Sequence, residues 1–489
     1  MKTTSWIAKV LAVAVGIFFA NLSFAQTGVL DPDDPVVIYN AATPPATPAY
    51  GKLAKWVKTN RVSFNTNSFK AYYYKGMAFR LKFPKSYKDS INTGKQYPLF
   101  VFFHGVGEKG SVYDNEYQLY HGGQKFMKAV DDGSFDGFLL YPQSSSSSGG
   151  FSVTHLQLIS ELINNYFVPE IHVDINRIIV DGLSGGGQAT WKMLKTYPTL
   201  IAAGLPISAV SILDMDAAEV NALRFTPIWL FQGGLDKAPT PYTARTVLNA
   251  YKQAGSNISY TEYPTQGHGC WNSAWADPGF IPFLNSAHKA NPWPLSGRTE
   301  YCPGDPINQV IGVTEGFDGY EWRKDGVVIP GANSNTYTAT SIGVYDCRIK
   351  RDTTWSVWSP VPVEIKLKGT TVSPDITVNG PLSNVIPSPD GNTSVQLQVP
   401  EGYATYNWQK EGSASVLSTT RFLTVAEPGN YKVKVTEEYG CSSDFSNLFA
   451  VIDANGADAP PPATGFTAKE ISKTEIKLDW FQSASPANN

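Results

Sequence analysis

The stretch IIVDGLSGGGQATWKML, Ile178 to Leu194, sets one serine among four glycines, between a run of β-branched residues and a segment with helical spacing. Three uses of such a turn compete: a phosphate cradle, a plain tight turn, and a device that holds Ser184 up as a nucleophile. A phosphate loop needs a lysine directly after its glycines, and Gln188 and Ala189 stand there instead. The pattern G-x-S-x-G, Gly182 to Gly186, is weak alone. A strand, a sharp turn and a helix in immediate succession are the context that a nucleophile elbow requires.

A serine hydroxyl attacks poorly unless a base takes its proton and a carboxylate orients that base. Downstream, TPIWLFQGGLDKAPTP ends a strand and leaves Asp236 in the following loop, and YTEYPTQGHGCW ends the next strand and leaves His268 in its loop. Both lie where residues can face the elbow. His288, in NSAHKANPW, is expected on solvated surface. Two backbone N–H groups should receive the charge that develops on a carbonyl oxygen. One is expected from Gly185 and the other from FFHGVGEKG, which supplies His104, Gly105, Val106 and Gly107. His104 itself reads as a residue that orients this loop.

The wider chain supports an α/β fold in this part. Short β-rich runs (MAFRLKFP, YPLFVFFHG, GFLLYPQ, RIIVDGL, TPIWLFQGG, ISYTEYP) alternate with helical patterns up to about residue 295, as in a doubly wound, mostly parallel sheet. A formal charge of −3 over 489 residues gives no footprint for nucleic acid. No histidine or cysteine spacing suggests a metal site, and no cofactor is implied. Lys2 and Lys9, an apolar run from Val10 to Ala20, and small residues at Ser23 and Ala25 read as a secretory signal peptide, with no membrane span once it is removed.

Together YPLFVFFHGVGEKG, YPQ, DGLSGGGQATWKML, TPIWLFQGGLDKAPTPYTAR and YTEYPTQGHGCW resemble the secreted α/β-hydrolase esterases related to poly(3-hydroxybutyrate) depolymerases and to feruloyl and acetylxylan esterases, some of whose relatives are labelled predicted peptidases. The resemblance spans roughly residues 50 to 290. It implies Ser184 as nucleophile, Asp236 as acid and His268 as base, with Val106 and Gly185 as oxyanion donors and an ester as substrate. Two departures stand out: Gln232 where relatives usually carry His, and Gly186 where they carry a bulky residue. Open space at Gly186 and Gly187 is expected to alter the leaving-group side. Gln143 and Trp271 are candidate substrate-binding residues, Trp191 and Trp275 weaker ones, and SSSSSGG after Gln143 reads as a flexible loop.

Beyond NPWPLSGRTE the texture turns to Thr, Val, Tyr and Gly. A repeat is visible: YEWRKDG (320–326) matches YNWQKEG (406–412), and the tyrosines of VYDC and NYKV, 345 and 431, keep the same offset. A tryptophan followed by such a tyrosine resembles the core of immunoglobulin-like sandwiches. In an exported chain Cys302 and Cys347 are expected to pair, with Cys270 and Cys441 left without obvious partners. DANGADAPPPATG reads as a linker, and the segment after it resembles the opening of a fibronectin type III module. The expected organisation is a signal peptide (1–25), an α/β-hydrolase catalytic domain (26–295), two immunoglobulin-like domains (296–368 and 369–453), a linker (454–463) and a partial fibronectin type III module (464–489). The function expected is a secreted serine esterase acting on polymer-linked esters of polysaccharide. A serine peptidase, a polyester depolymerase, and an inert carbohydrate-binding or adhesion protein are the alternatives.

Overall fold

The computed structural model describes residues 28–90, 93–145, 150–380, 383–388, 390–456, 464–472 and 475–481. The expected signal peptide lies outside the described residues, as do most of the serine run after Gln143, most of the linker and the last eight residues.

Eight strands build the main sheet: β1 (Phe69–Tyr74), β2 (Met77–Lys82), β3 (Tyr97–Phe103), β4 (Phe138–Pro142), β5 (Val173–Leu183), β6 (Ile201–Ile207), β7 (Ile228–Gly233) and β8 (Ile258–Tyr263). Across the sheet they run β8-β7-β6-β5-β3-β4-β2-β1, and a two-residue strand, Ala54–Lys55, adds to the β1 edge. The strands from β8 to β4 are mutually parallel; β2 pairs antiparallel with β4, and β1 antiparallel with β2. Parallel strands need crossovers that cover both faces with helices, so their middle members read as unbroken apolar runs. YPLFVFF, FLLYP and IAAGLPI are buried at every position. Separate apolar clusters, one around Leu99, Val180 and Trp191 and the other around Phe102, Phe126 and Trp275, fill the two faces.

Helix α1 (Gly123–Asp132) packs its apolar side on β3 through Phe126, whose ring lies 4.7 Å from that of Phe100. Helix α2 (Val153–Leu162) precedes β5, and α3 (Gly185–Thr196) follows it with only Ser184 between. Helix α4 (Pro241–Gln253), capped by Thr240, links β7 to β8. A strand–turn–helix elbow at the carboxyl end of a central parallel strand, with loops after the next strands turned toward it, is the α/β-hydrolase arrangement. Among the described residues no helix is long and apolar enough to cross a membrane.

The two repeat units that follow are built from separate sheets. Strands β9 (Gly319–Lys324) and β10 (Gly343–Arg351) pair so that Trp322 faces Cys347, and β11 (Thr405–Lys410) and β12 (Gly429–Thr436) pair so that Trp408 faces Val433. Both tryptophans are fully buried, and each indole N–H donates to a carbonyl twelve residues on, that of Ser334 or Thr420, at 2.8 Å. Each tyrosine hydroxyl reaches back four residues, Tyr345 to the Ser341 carbonyl (2.9 Å) and Tyr431 to that of Glu427 (2.8 Å). A further part of the repeat is a serine clip. Ser356 exchanges hydrogen bonds with the Ile349 backbone just as Ser443 does with that of Val435.

The expected Cys302–Cys347 bridge is not formed. Cys347 takes the core position that Val433 fills in the second unit, and it is a free, buried thiol. Cys302 is instead bonded to Cys441, with 5.4 Å between their α-carbons. The bridge ties the first unit to the second, beside the Lys368–Glu437 ion pair and the Thr371–Ser443 bridge. His288 is also not on the surface. The first β unit covers its loop, leaving it 2 % exposed, with Nδ1 accepting from the Ala290 N–H at 3.1 Å.

Proteolytic mapping without reduction is expected to recover one cross-linked peptide pair containing Cys302 and Cys441, with Cys270 and Cys347 alkylated only after unfolding. Recovery of a Cys302–Cys347 pair would refute this topology. Replacing both bridged cysteines by serine is expected to cost about 2–5 kcal/mol, measured by denaturant unfolding.

Candidate active site

Ser184 adopts φ 54° and ψ −120°, a backbone conformation that L-residues seldom take. Its neighbours are what allow it. A side chain at Gly182 would start 2.4 Å from the Gly186 carbonyl oxygen, and one at Gly186 would start 2.0 Å from that of Phe103. The first turn of α3 is thus pressed onto the ends of β3 and β5, and the Ser184 N–H donates to the Ile207 carbonyl of β6 at 2.9 Å. No open space exists at Gly186 or Gly187: the latter would put a side chain 2.6 Å from the Ala209 Cβ. The sequence-based expectation of a roomier leaving-group side is therefore wrong, because the missing volume is filled by backbone.

The structure brings Ser184, His268 and Asp236 into one hydrogen-bonded row. Ser184 Oγ is 2.8 Å from His268 Nε2, and His268 Nδ1 is 2.8 Å from Asp236 Oδ2. The carboxylate is buried, while the His268 side chain is 41 % exposed and so open to a reactant. Asp236 Oδ1 accepts from the Ala238 N–H (3.0 Å), and Oδ2 also accepts from Gln232 Nε2 (3.1 Å). Gln232, buried at the end of β7, donates further to the Pro239 carbonyl at 3.0 Å. It braces the acid loop, a role its position beside the GGLD turn did not disclose. The histidine loop is held by Ser208, whose hydroxyl donates to the His268 carbonyl at 2.7 Å and contacts the Cys270 thiol at 3.2 Å.

Gly185 opens α3, where backbone N–H groups have no partner within the helix. The Val106 nitrogen lies 3.5 Å from where a Gly185 side chain would begin, so the two expected oxyanion donors are neighbours. The turn carrying Val106 is fixed from behind. His104 Nδ1 lies 2.7 Å from the Gly105 carbonyl, and Nε2 accepts from the Ser144 N–H at 3.1 Å. Burial drives the His104 pKa down to about 4, so it stays neutral and serves both contacts. Gln143 is not a pocket residue. It is 3 % exposed and its amide donates to the Glu108 carbonyl at 3.0 Å, behind the turn. Trp191 and Trp275 are core as well, donating to the Ala209 carbonyl (2.7 Å) and to Asp181 Oδ2 (3.1 Å).

Trp271 is half-buried at the rim, its ring centre 6.1 Å from that of His268. On the other side Ser184 and His268 open into a cavity of about 440 Å³, walled by Gln188, Val210, Ile212, Pro239 and Thr243.

No family model matches the chain. No curated protein matches it. Among solved structures it is similar to a thermostable esterase (26 % identity, 45 % of this chain and 63 % of that one, TM-score 0.40). It is similar also to a ferulic acid esterase (18 %, 42 % and 93 %, TM-score 0.34) and to a propionate-bound thermophilic esterase from Thermogutta terrifontis (15 %, 44 % and 94 %, TM-score 0.35). The match therefore spans less than two thirds of the thermostable esterase.

Gly186→Ala is expected to destabilise the protein by about 3 kcal/mol or more, because the obstructing atoms are backbone and cannot rotate away. Denaturant unfolding checks this, and a neutral result would refute the close packing. His104 and His288, both held near pKa 4, give a second test. Below pH 6.5 the unfolded chain protonates both while the native chain does not, so stability falls as pH drops from 6.5 to 4 and this contribution levels off below. Each is worth about 3 kcal/mol across that window. Melting curves of His288→Gln should show a shallower decline there than the wild type.

Proposed function

We propose that this chain is an exported serine carboxylic-ester hydrolase that acts on acyl esters carried by polysaccharide. The observation that carries the catalytic reading is the row Ser184–His268–Asp236 standing on a strained elbow, with Val106 and Gly185 side by side next to the serine. In this reading Ser184 Oγ attacks the ester carbonyl and its proton passes to His268 Nε2. Asp236 keeps Nδ1 protonated and offsets the imidazolium charge, and the two N–H groups hold the oxyanion. Collapse expels the alcohol, which takes the proton from His268. Water activated by the same imidazole then releases the acid and restores Ser184.

Export rests on the N-terminal charge and apolar pattern. Polysaccharide as carrier rests on the resemblance stated for the sequence and on the β units. Their buried tryptophan and back-bonded tyrosine support an immunoglobulin-like identity. The segment from Thr464 supports the start of a fibronectin type III module through its paired strands. The β units act as spacers that set the enzyme off from a surface.

A fluorophosphonate is expected to add once, at Ser184, and the protein is expected to hydrolyse p-nitrophenyl acetate faster than a matched peptide anilide. Ser184→Ala should retain the fold by circular dichroism and lose turnover by at least about 10⁴-fold. A folded wild type without adduct or turnover would sink the esterase reading, and preference for the anilide would replace it with a peptidase.

A further inference from the structure

A row of rings runs outward from the catalytic histidine. From His268 it passes edge-on to Trp271 at 6.1 Å, from Trp271 to His121 at 5.0 Å, then to Tyr120 at 4.7 Å and Tyr117 at 4.8 Å. None of the last four lines the 440 Å³ cavity, so they belong to a different side of the site. Tyr120 is 53 % exposed, and Tyr117, His121 and Trp271 are half-buried. The exposure of Tyr120 within this ladder is not explained by core packing.

The row is held in place from both ends. The Arg61 guanidinium lies 4.4 Å over the Tyr117 ring and pairs with Asp114 at 2.6 Å. At the inner end His121 Nε2 stands 3.6 Å from Glu108 Oε1, and Glu108 closes the short turn that begins with Val106. Burial pushes the Glu108 carboxyl up and the His121 imidazole down, and the pair lies against the turn that carries Val106.

We propose that Tyr120, His121 and Trp271 form a ring-stacking subsite for sugar residues in the alcohol half of the ester, with Tyr117 backing Tyr120 and the cavity left to the acyl group. This rests on the esterase reading above. The leaving oxygen must take its proton from His268 Nε2, which borders both the cavity and Trp271; the walled cavity is given to the acyl group and the open row of rings to the bulkier alcohol. The class is assigned by surface. A sugar ring has an apolar face that lies on an aromatic side chain and hydroxyls at its rim, and the rings of this row each carry a polar atom at the edge, the Tyr120 hydroxyl and the His121 nitrogens among them.

The test compares kcat/KM on acetylated xylo-oligosaccharides with kcat/KM on p-nitrophenyl acetate, in wild type, Tyr120→Ala, Trp271→Ala and Tyr120→Phe. The oligosaccharide-to-small-ester ratio is expected to fall about tenfold in each alanine variant, mainly through KM, and to stay within about twofold in Tyr120→Phe, which keeps the ring. An unchanged ratio in both alanine variants, folded by circular dichroism, would overturn the subsite while leaving the esterase reading intact. So would a drop in Tyr120→Phe equal to that in Tyr120→Ala, since stacking would not then be the cause. A folded wild type that hydrolyses neither ester, and takes no fluorophosphonate, would overturn both readings.

Discussion

The left-handed backbone at Ser184 is the constraint on which the site depends. A non-glycine residue at φ 54° costs of order 1–3 kcal/mol, and it persists only where its surroundings leave no alternative. Here the surroundings are backbone against backbone. Gly182 and Gly186 let the start of α3 (Gly185–Thr196) close onto the carbonyls at the end of β3 (Tyr97–Phe103), and β6 (Ile201–Ile207) takes the Ser184 N–H. The same approach that strains the serine also sets Val106 beside Gly185. The Ser184 conformation and the meeting of Val106 with Gly185 are therefore one feature of the packing, and a change in either glycine would disturb both.

What surrounds this point is a polar shell that leaves little freedom. Asp236 is satisfied at both oxygens by His268, Gln232 and the Ala238 N–H, so its charge is spread over three donors inside a buried pocket. His268 is gripped at its ring by Asp236 and at its carbonyl by Ser208. The turn after β3 is gripped by His104 and Gln143, both neutral and both buried. A neutral His104 makes these contacts without itself adding a buried charge beside the turn.

How much of this was legible in the sequence follows from how local each feature is. The elbow could be read because strand, turn and helix are contiguous, and Asp236 and His268 because each lies in the loop a few residues past a β-rich run, IWLFQG or ISYTEY. The all-buried strands β3 and β4 (Phe138–Pro142) were readable for the same reason. Gln143 follows a strand just as Asp236 does, yet it turns behind the loop and not into the site. Only the packing of Ser144 against His104 distinguishes the two cases. Gly186 looked like missing volume because a sequence does not show which backbone comes from the far side of a sheet. Cys302 and Cys441 are 139 residues apart and met only once the relative placement of two separate β units was known. His288 looked polar and solvated because the surface that covers it comes from a later unit.

That last burial shows how the β units relate to the α/β part. Lys289 is 4 % exposed, and its amine lies within hydrogen-bond distance of the carbonyls of Pro198 and Ile201 and of the hydroxyls of Thr226 and Thr314. Thr314 belongs to the first β unit and the other three to the α/β part, so one side chain stitches the joint from within. Arg351 reaches back across the same joint to Asn176 (3.0 Å) and the Thr199 carbonyl (2.6 Å), and Trp293–Pro294 pairs in a sheet with Gln309–Gly312. Directional hydrogen bonds around a buried amine cannot slide as an apolar contact can, because each displacement leaves a donor or acceptor unpaired. The Cys302–Cys441 bridge then fixes the second unit to the first. The joint between the α/β part and the first β unit is thus held by paired polar groups, and that between the two β units by a covalent bond.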